Sequence, residues 1–367
     1  MAPMQGPTLA LVNGTLIDGT GADPLPDAVV LIVQGRVMSV GPRSRVTIPA
    51  EAKVIDAGGG TILPGLINAH VHGGYDVARL QAWAQAGVTT VRDLGTSPRS
   101  TLFSDRNTLC SDIRNARLVA AGPFITVPDG YPIVPWGMAA LTVTSTEEAA
   151  TTTHRLLDDG ADVIKISLEA GGTFGRKIRV LTTEQAQAII RVARERGTRV
   201  SAHITGAADA SRCVAVGVDD IAHMPGDYLS DGLITQVVQA GLYWVPTLEL
   251  WHLTPLGGRQ AVDNLRRFVA AGGTVALGTD YGGYDAEFDL GLPIRELEWM
   301  LEAGMTPMQV IVAATRNAAT VCNRGRELGT LEPGKIADVL VVNGDPLQDI
   351  HALEVVRAVI HNGQVIR

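Results

Sequence analysis

The pattern of apolar and polar positions changes twice along the chain. Residues 8 to about 60 carry short apolar runs separated by turn pairs such as Gln34-Gly35, which is the spacing of β-hairpins. Similar runs return after about residue 328, at 337–342 and 355–360. We interpret the two ends as one small composite β-sandwich domain, built by both chain termini from residues 1–61 and 325–367.

Between these ends, short apolar runs alternate with amphipathic segments of helical length. Capping boxes begin two of the helical segments, at Ser145 and Thr182. This alternation is typical of βα units around a parallel sheet. It predicts an α/β fold, a (β/α)₈ TIM barrel over residues 62–324, with a doubly wound open sheet as the main rival. The eight predicted strands cover 62–72, 88–94, 117–125, 162–168, 199–204, 220–224, 243–248 and 274–279.

Composition and charge disfavour several classes of protein. The 367 residues carry a net charge of −8, so a basic surface for nucleic acid is not expected. No apolar run reaches the length of a membrane span, and no signal peptide is visible. Cys110, Cys213 and Cys322 form neither a Cys-x-x-Cys site nor an even disulfide set, which fits a cytoplasmic location. The expected partner is a small-molecule substrate, with a homo-oligomer as an open alternative.

Polar side chains stand at the carboxyl ends of five predicted strands, where a barrel of this type holds its active site. His70 and His72 are one residue apart, so a strand would point both imidazoles to the same side. Taken singly, each residue has an ordinary alternative as a packed strand histidine or a turn former. The residues that would converge on the barrel axis are His70, His72, Lys165, His203, His223 and Asp280.

Lys165 is the least ordinary member of this set. It lies between Ile164 and Ile166, where burying a charged amine is costly. We therefore expect a lowered pKa or a fixed partner. One chemical solution is carbamylation by CO₂, which requires the neutral amine and yields a carboxylate able to bridge two metal ions.

These residues, in this order, resemble the amidohydrolase superfamily. Within it, the chain is similar to the branch of imidazolonepropionase-like enzymes and metal-dependent Xaa-Pro dipeptidases. The similarity covers nearly the whole sequence. The motifs that carry it lie at 63–72, 87–93, 163–166, 202–203, 221–223, 278–280 and 331–338.

The resemblance implies a binuclear metal centre. The two divalent ions are expected to be Zn²⁺, although the same ligand types also suit manganese, iron, cobalt or nickel. A metal-bridging hydroxide would attack the carbonyl carbon, and Asp280 would pass the proton to the leaving nitrogen. The implied ligands are His70, His72 and Asp280 for the more buried ion, His203 and His223 for the second, and a CO₂-derived carbamate on Lys165 as the bridge.

The activity stays open between three hypotheses. The first is hydrolysis of an amide C–N bond in a dipeptide, an N-acyl amino acid or a cyclic amide. An esterase, lactonase, carbamate or organophosphate hydrolase would use the same metals, and a non-catalytic scaffold would be expected to have lost ligands. Deaminases of the superfamily typically carry glutamate where this chain has Gly206, and true imidazolonepropionases generally lack a lysine at position 165. Candidates for substrate contact, all in loops after predicted strands, are Tyr131, Arg179, Glu249, Trp251 and His252.

Overall fold

The computed structural model describes residues 7–255 and 258–367. The described strands are β1 (Leu9–Leu16), β2 (Leu25–Val33), β3 (Arg36–Pro42), β4 (Lys53–Asp56), β5 (Thr61–Pro64), β6 (Leu66–Val71), β7 (Val88–Asp93), β8 (Arg117–Ala120), β9 (Ile125–Thr126), β10 (Leu141–Thr142), β11 (Ile164–Ser167), β12 (Val200–His203), β13 (Asp220–Ala222), β14 (Tyr243–Val245), β15 (Thr274–Val275), β16 (Val339–Val342), β17 (Val356–His361) and β18 (Gln364–Val365). The described α-helices are α1 (Val77–Gln85), α2 (Leu102–Ser111), α3 (Ile133–Trp136), α4 (Thr146–Asp158), α5 (Thr183–Glu195), α6 (Ala207–Val216), α7 (Asp231–Gln239), α8 (Leu248–Leu253), α9 (Arg259–Ala270), α10 (Ile294–Glu302), α11 (Pro307–Val312) and α12 (Ala318–Val321).

Both chain ends contribute to one eight-stranded sheet. Its strand order is β18-β17-β16-β5-β1-β2-β3, and β4 pairs with β1. β16 joins the two ends because it pairs antiparallel with β5, from Val339 opposite Pro64 to Val342 opposite Thr61. Apolar side chains of the first and last strands, such as Leu11 and Ile360, therefore share one core. The composite β-sandwich stays a prediction.

The strand predicted over 62–72 is two strands in the structure. Its first part is β5 in the sheet of the chain ends, and its second part is β6 in a parallel sheet. The break falls at Gly65, where an added Cβ would lie 2.3 Å from the hydroxyl of Thr89. Only glycine permits this close approach, so Gly65 marks the passage from the terminal strands into the βα units.

The central segment confirms the α/β alternation. Its parallel strands form one sheet with the order β6-β7-β8 and another with the order β10-β9-β11-β12-β13-β14-β15. Backbone hydrogen bonds link the two sheets, from Ala69 N to Leu277 O (2.8 Å) and from Asp162 N to Ala120 O (2.9 Å). Strand pairing among the described residues is not continuous around the eight units, so the closed barrel stays a prediction.

Capping residues hold the helices that cover the parallel strands. Ser145 and Thr182 cap α4 and α5, because each side-chain oxygen accepts a hydrogen bond from a backbone N–H in the first turn. The predicted capping box is complete at Thr182, whereas the Glu148 carboxylate accepts from the backbone N–H of Thr144 and not from that of Ser145. The apolar faces of these helices bury residues such as Leu156 and Ile189 against the strands. Within 7–255 and 258–367, no helix has the length and apolar character needed to cross a membrane.

Candidate metal centre

Three ligand atoms meet at the end of β6. Oδ1 of Asp280 lies 3.0 Å from Nε2 of His70 and 3.1 Å from Nε2 of His72. This oxygen and both ring nitrogens of His70 have no hydrogen-bond partner among the described residues. Two ligand atoms that each lie about 2.1 Å from a tetrahedral zinc ion are about 3.4 Å apart. The separations between Asp280 and the two histidines are close to this value. The carbonyl of Gly95, 3.1 Å from Nδ1 of His72, leaves Nε2 of that ring free for the ion.

Contacts between two chain segments position this group. The backbone N–H of Asp280 donates to the carbonyl of His70 (2.9 Å). The Asn68 amide donates to the hydroxyl of Thr279 (3.0 Å) and accepts from the backbone N–H of His70 (3.2 Å). An added Cβ on Gly278 would lie 2.8 Å from Cβ of His70, so glycine is required where the segments cross. These contacts bring together residues that lie more than two hundred positions apart.

His203 and His223 form a second pair. They end or follow the neighbouring parallel strands β12 and β13, where His203 lies opposite Ala222. Nδ1 of His203 lies 3.1 Å from Nε2 of His223. The other nitrogen of His223 lies 2.6 Å from the hydroxyl of Thr247, which fixes the orientation of the ring. The ring of His70 stacks on that of His223 with centres 5.0 Å apart, so the two groups of ligands are adjacent.

Lys165 lies in β11, opposite Ser201 of β12. Its Nζ is buried, has no hydrogen-bond partner among the described residues, and lies 5.5 Å from the ring centre of Phe124. Burial lowers the pKa of Lys165 to about 7, while Asp220 and Arg92 act on this pKa in opposite directions. A substantial fraction of the amine is therefore neutral near pH 7, the form that carbamylation requires.

Burial also sets the charges of the other ligands. It lowers the pKa of His70 and of His203 well below 6.5, and it lowers the pKa of His223 to about 4. Burial alone would raise the pKa of Asp280, but the imidazoles of His223 and His70 outweigh it and hold the pKa well below 3.8. At His72, Asp280 outweighs burial and raises the pKa. The centre thus offers three neutral imidazoles and an ionised carboxylate, which are metal-binding forms.

The donor set fits divalent metal ions. Buried nitrogen atoms of His70, His203 and Lys165 have no hydrogen-bond partner in the part of the chain that the structure describes. Leaving a buried polar atom unpaired costs about 1–3 kcal/mol, and a bound cation would remove that cost for the imidazoles. Imidazole nitrogen and carboxylate oxygen suit zinc and several neighbouring metals. The residues present can therefore hold metal.

A cavity of about 280 Å³ opens onto this centre. His203, His223 and Asp280 line it, so a small substrate in the cavity would lie against the ligands of both groups. Of the five residues predicted to contact substrate, Tyr131 and Trp251 also line it. The ring of Tyr131 stacks on the His203 ring with centres 3.8 Å apart.

The structure does not bring the other three candidates into the cavity lining. Arg179 is 68% exposed, with a nitrogen 3.8 Å from the carboxylate of Asp129. His252 stacks on Trp299 with ring centres 3.5 Å apart, and the buried carboxylate of Glu249 forms an ion pair. Glu249 and His252 are three positions apart in α8 and therefore share one face of that helix.

Sequence reasoning missed most of the cavity wall and the groups that orient the ligands. Aromatic residues make up only 4% of the chain, so several of them in loops after neighbouring strands are a usable signal. The orienting groups carry no such signal, because an asparagine in a strand or a threonine after one is common. The missed residues are Asn68, Trp136, Phe174, Thr247 and Tyr284.

Comparison with known proteins places the chain in a family. Residues 61–366 match the model of the amidohydrolase family. An adenine deaminase from Chelativorans sp. is 25% identical over 350 residues, which cover 92% of this chain and 54% of the deaminase. The chain therefore spans about half the length of the curated adenine deaminases that it matches. An imidazolonepropionase from Haloarcula marismortui is 24% identical over 408 residues, covering 97% of this chain and 94% of that protein.

A solved structure gives the same answer for the fold. A Xaa-Pro dipeptidase with bound methionine has a TM-score of 0.85 and 25% identity, over 98% of this chain and 99% of that one. The likeness in fold extends over nearly the whole of both chains. The chain belongs to the amidohydrolase family, which confirms the family predicted from its motifs.

Proposed function

We propose that this chain is a binuclear, metal-dependent hydrolase that cleaves an amide C–N bond in a small substrate. The observation that carries the proposal is the adjacency of two buried groups of ligands beside one cavity. Burial is the main cause of the lowered pKa of His70 and of His203, and the charge of Lys165 lowers the pKa of both further. The two groups are His70, His72 and Asp280, and His203 with His223.

We propose two divalent ions at the centre, with Zn²⁺ as the first choice for these ligand types. The neutral amine of Lys165 would take up CO₂, and the resulting carbamate would supply the carboxylate that two neighbouring ions share. When bound, the ions would polarise the substrate carbonyl and make hydroxide available near neutral pH. The closed barrel over 62–324 and the composite domain of 1–61 and 325–367 are part of the same proposal.

Asp280 carries the proton in this proposal. Its Oδ1 faces His70 and His72, which leaves Oδ2 to accept a proton from the attacking water and to deliver it to the leaving nitrogen. An amide nitrogen needs this proton because the unprotonated amine anion is a poor leaving group. Gly206 offers no carboxylate at the position where superfamily deaminases carry glutamate. Its presence favours hydrolysis of an amide over hydrolytic deamination of a ring.

Metal analysis combined with an amide panel tests the proposal. Protein expressed with added zinc should hold about two ions per chain, and it should release amine from members of a panel of dipeptides, acyl amino acids, cyclic amides and anilides. Chelation should abolish this release, and zinc should restore it. The variant His252→Asn changes a histidine outside the cavity lining and should retain both properties. Near-zero metal would favour a scaffold, and cleavage of esters alone would favour an esterase.

A further inference from the structure

The wall of the cavity limits which substrates can approach the centre. Tyr131, Trp136, Phe174, Trp251 and Tyr284 all line it. Phe174 packs with its ring centre 5.9 Å from that of Trp136 and 6.0 Å from that of Tyr131. Trp136 is 49% exposed, so it is reachable from solvent. Such a wall buries planar and apolar groups well and offers little to a charged one.

The threonine hydroxyls of the wall have already used their protons. Thr205 donates to the carboxylate of Glu169 (2.5 Å). The hydroxyls of Thr173 and Thr205 are in contact, and since Thr205 donates to Glu169, Thr173 is the donor between them. Thr254 donates to the carbonyl of Trp251 (2.8 Å). The remaining lone pairs of these hydroxyls can accept from an N–H but repel a carboxylate.

The wall also offers no cation to a carboxylate. Among the described residues, no lysine or arginine lines this cavity. Arg79 lines a separate cleft, together with Asp285 and Glu287. Proteins recognise substrate carboxylates mainly through arginine or through several N–H donors. Away from the metal ligands, a free carboxylate would therefore lose its hydration at this wall and find only the tyrosine hydroxyls as donors, with no side-chain cation to pair with.

We infer that the substrate is a neutral amide with an aromatic or other apolar substituent, and that substrates with a free carboxylate, such as dipeptides and acyl amino acids, are disfavoured. This inference rests on the proposed function for the bond that is cut. The preference itself is a property of binding, so it can be measured without turnover.

Two ligands of the same shape test the inference. N-Acetylphenylalaninamide and N-acetylphenylalanine differ only in a neutral carboxamide against a carboxylate, and N-acetylalaninamide lacks the ring. Calorimetric titration of the chelated full chain, which cannot turn the amides over and holds no ion to ligate the carboxylate, should give a dissociation constant at least about tenfold lower for the aromatic carboxamide than for either of the others. Equal or tighter binding of the carboxylate would overturn the inference, and so would the absence of binding by the aromatic carboxamide.

A variant at an exposed wall position sharpens the test. Trp136→Arg would place a cation in the wall, and Trp136→Gln is the neutral control at the same position. The arginine variant should reduce the preference for carboxamide over carboxylate by about tenfold relative to the glutamine variant. An unchanged preference would count against the wall as its source. If the carboxamide binds preferentially, but the zinc-loaded protein releases no acetate from it and hydrolyses no amide of the panel, the proposed hydrolysis fails and the inference about binding stands.

Discussion

Gly283 packs directly against the carboxylate of Asp280. An added Cβ on Gly283 would stand 2.2 Å from Oδ2 and 2.5 Å from Cγ of Asp280. The backbone φ of Gly283 lies outside the left-handed region, so alanine would cause no backbone strain there. The clash of its Cβ with the Asp280 carboxylate is what disfavours alanine. The glycine leaves Asp280 room to hold Oδ1 toward His70 and His72 while Oδ2 stays free.

The variant Gly283→Ala should therefore displace the Asp280 carboxylate. A displacement of about 1 Å at a reacting group can cost about 10²-fold in rate, so we expect kcat/KM for the best amide to fall by about that factor. Thermal unfolding should change little because Gly283 is exposed. Gly232→Ala is the control, since an added Cβ there meets no atom within 4 Å. A Gly283→Ala enzyme with unchanged kcat/KM would contradict this role.

The hydroxyl of Thr247 should matter for metal binding. The substitution Thr247→Val keeps the shape and removes the partner of His223 Nδ1, which lies 2.6 Å away. Loss of such an orienting group typically costs about 10- to 100-fold in metal affinity. Zinc titration against a competing chelator should show this loss for one of two ions, while Thr247→Ser restores the affinity. Equal zinc affinities in the wild type, Thr247→Val and Thr247→Ser would show that the hydroxyl does not contribute to metal binding.

Lys165 should be replaceable in part by an added carboxylate. Lys165→Ala removes the group that would become the carbamate, so amide hydrolysis should fall to background. Propionate, which fits the space left by the side chain, should restore part of the activity, and Lys165→Met should not be rescued because its own side chain fills that space. Full activity in Lys165→Ala without propionate would show that no bridging carboxylate is needed.

A buried carboxyl group away from the centre gives a prediction about pH. Burial raises the pKa of Glu296 from 4.5 to about 8, although the backbone N–H groups of Glu249 and Leu248 offset part of the effect. The folded chain therefore keeps a proton on Glu296 that the unfolded chain releases near pH 4.5, and this stabilisation is lost as pH rises toward 8. The neighbouring charges of Asp289 and Arg295 remain in both proteins compared.

The free energy of unfolding of the wild type should thus fall relative to that of Glu296→Gln as pH rises from 5 to 8. The expected difference in slope is about 1 kcal/mol per pH unit. Urea unfolding of the chelated proteins at a series of pH values measures it, and chelation keeps metal binding out of the comparison. Parallel curves for the two proteins would show that Glu296 is already ionised in the folded chain.

The sequence predicted the order of elements better than their bounds. The capping residues Ser145 and Thr182 mark helix starts by local chemistry, and both predictions are confirmed. The strand predicted over 274–279 is only Thr274–Val275. Ala276 still donates to Trp244 of β14, but the chain beyond it bonds to Ala313 and to residues of β6. Such bonds depend on distant segments, which local periodicity does not report.

The sequence likewise predicted one part of the candidate site, the ligands, better than the other part, the cavity wall. The ligands could be predicted because imidazoles, a lysine and a carboxylate at strand ends form a rare combination. Most of the cavity wall could not be predicted, because its composition depends on which face of a short helix turns inward. Trp251 lines the cavity whereas His252, the next residue, packs against Trp299. Arg179 was predicted from its loop alone, and the structure places it at the surface beside Asp129.

Anomalous diffraction at the zinc absorption edge, from crystals of the zinc-loaded protein, would show whether the centre holds two ions. We predict two peaks per chain. One should lie among His70, His72 and Asp280, the other at the pair His203 and His223, with density for a carbamate on Lys165 between them. A single peak, or peaks away from these residues, would contradict the binuclear centre.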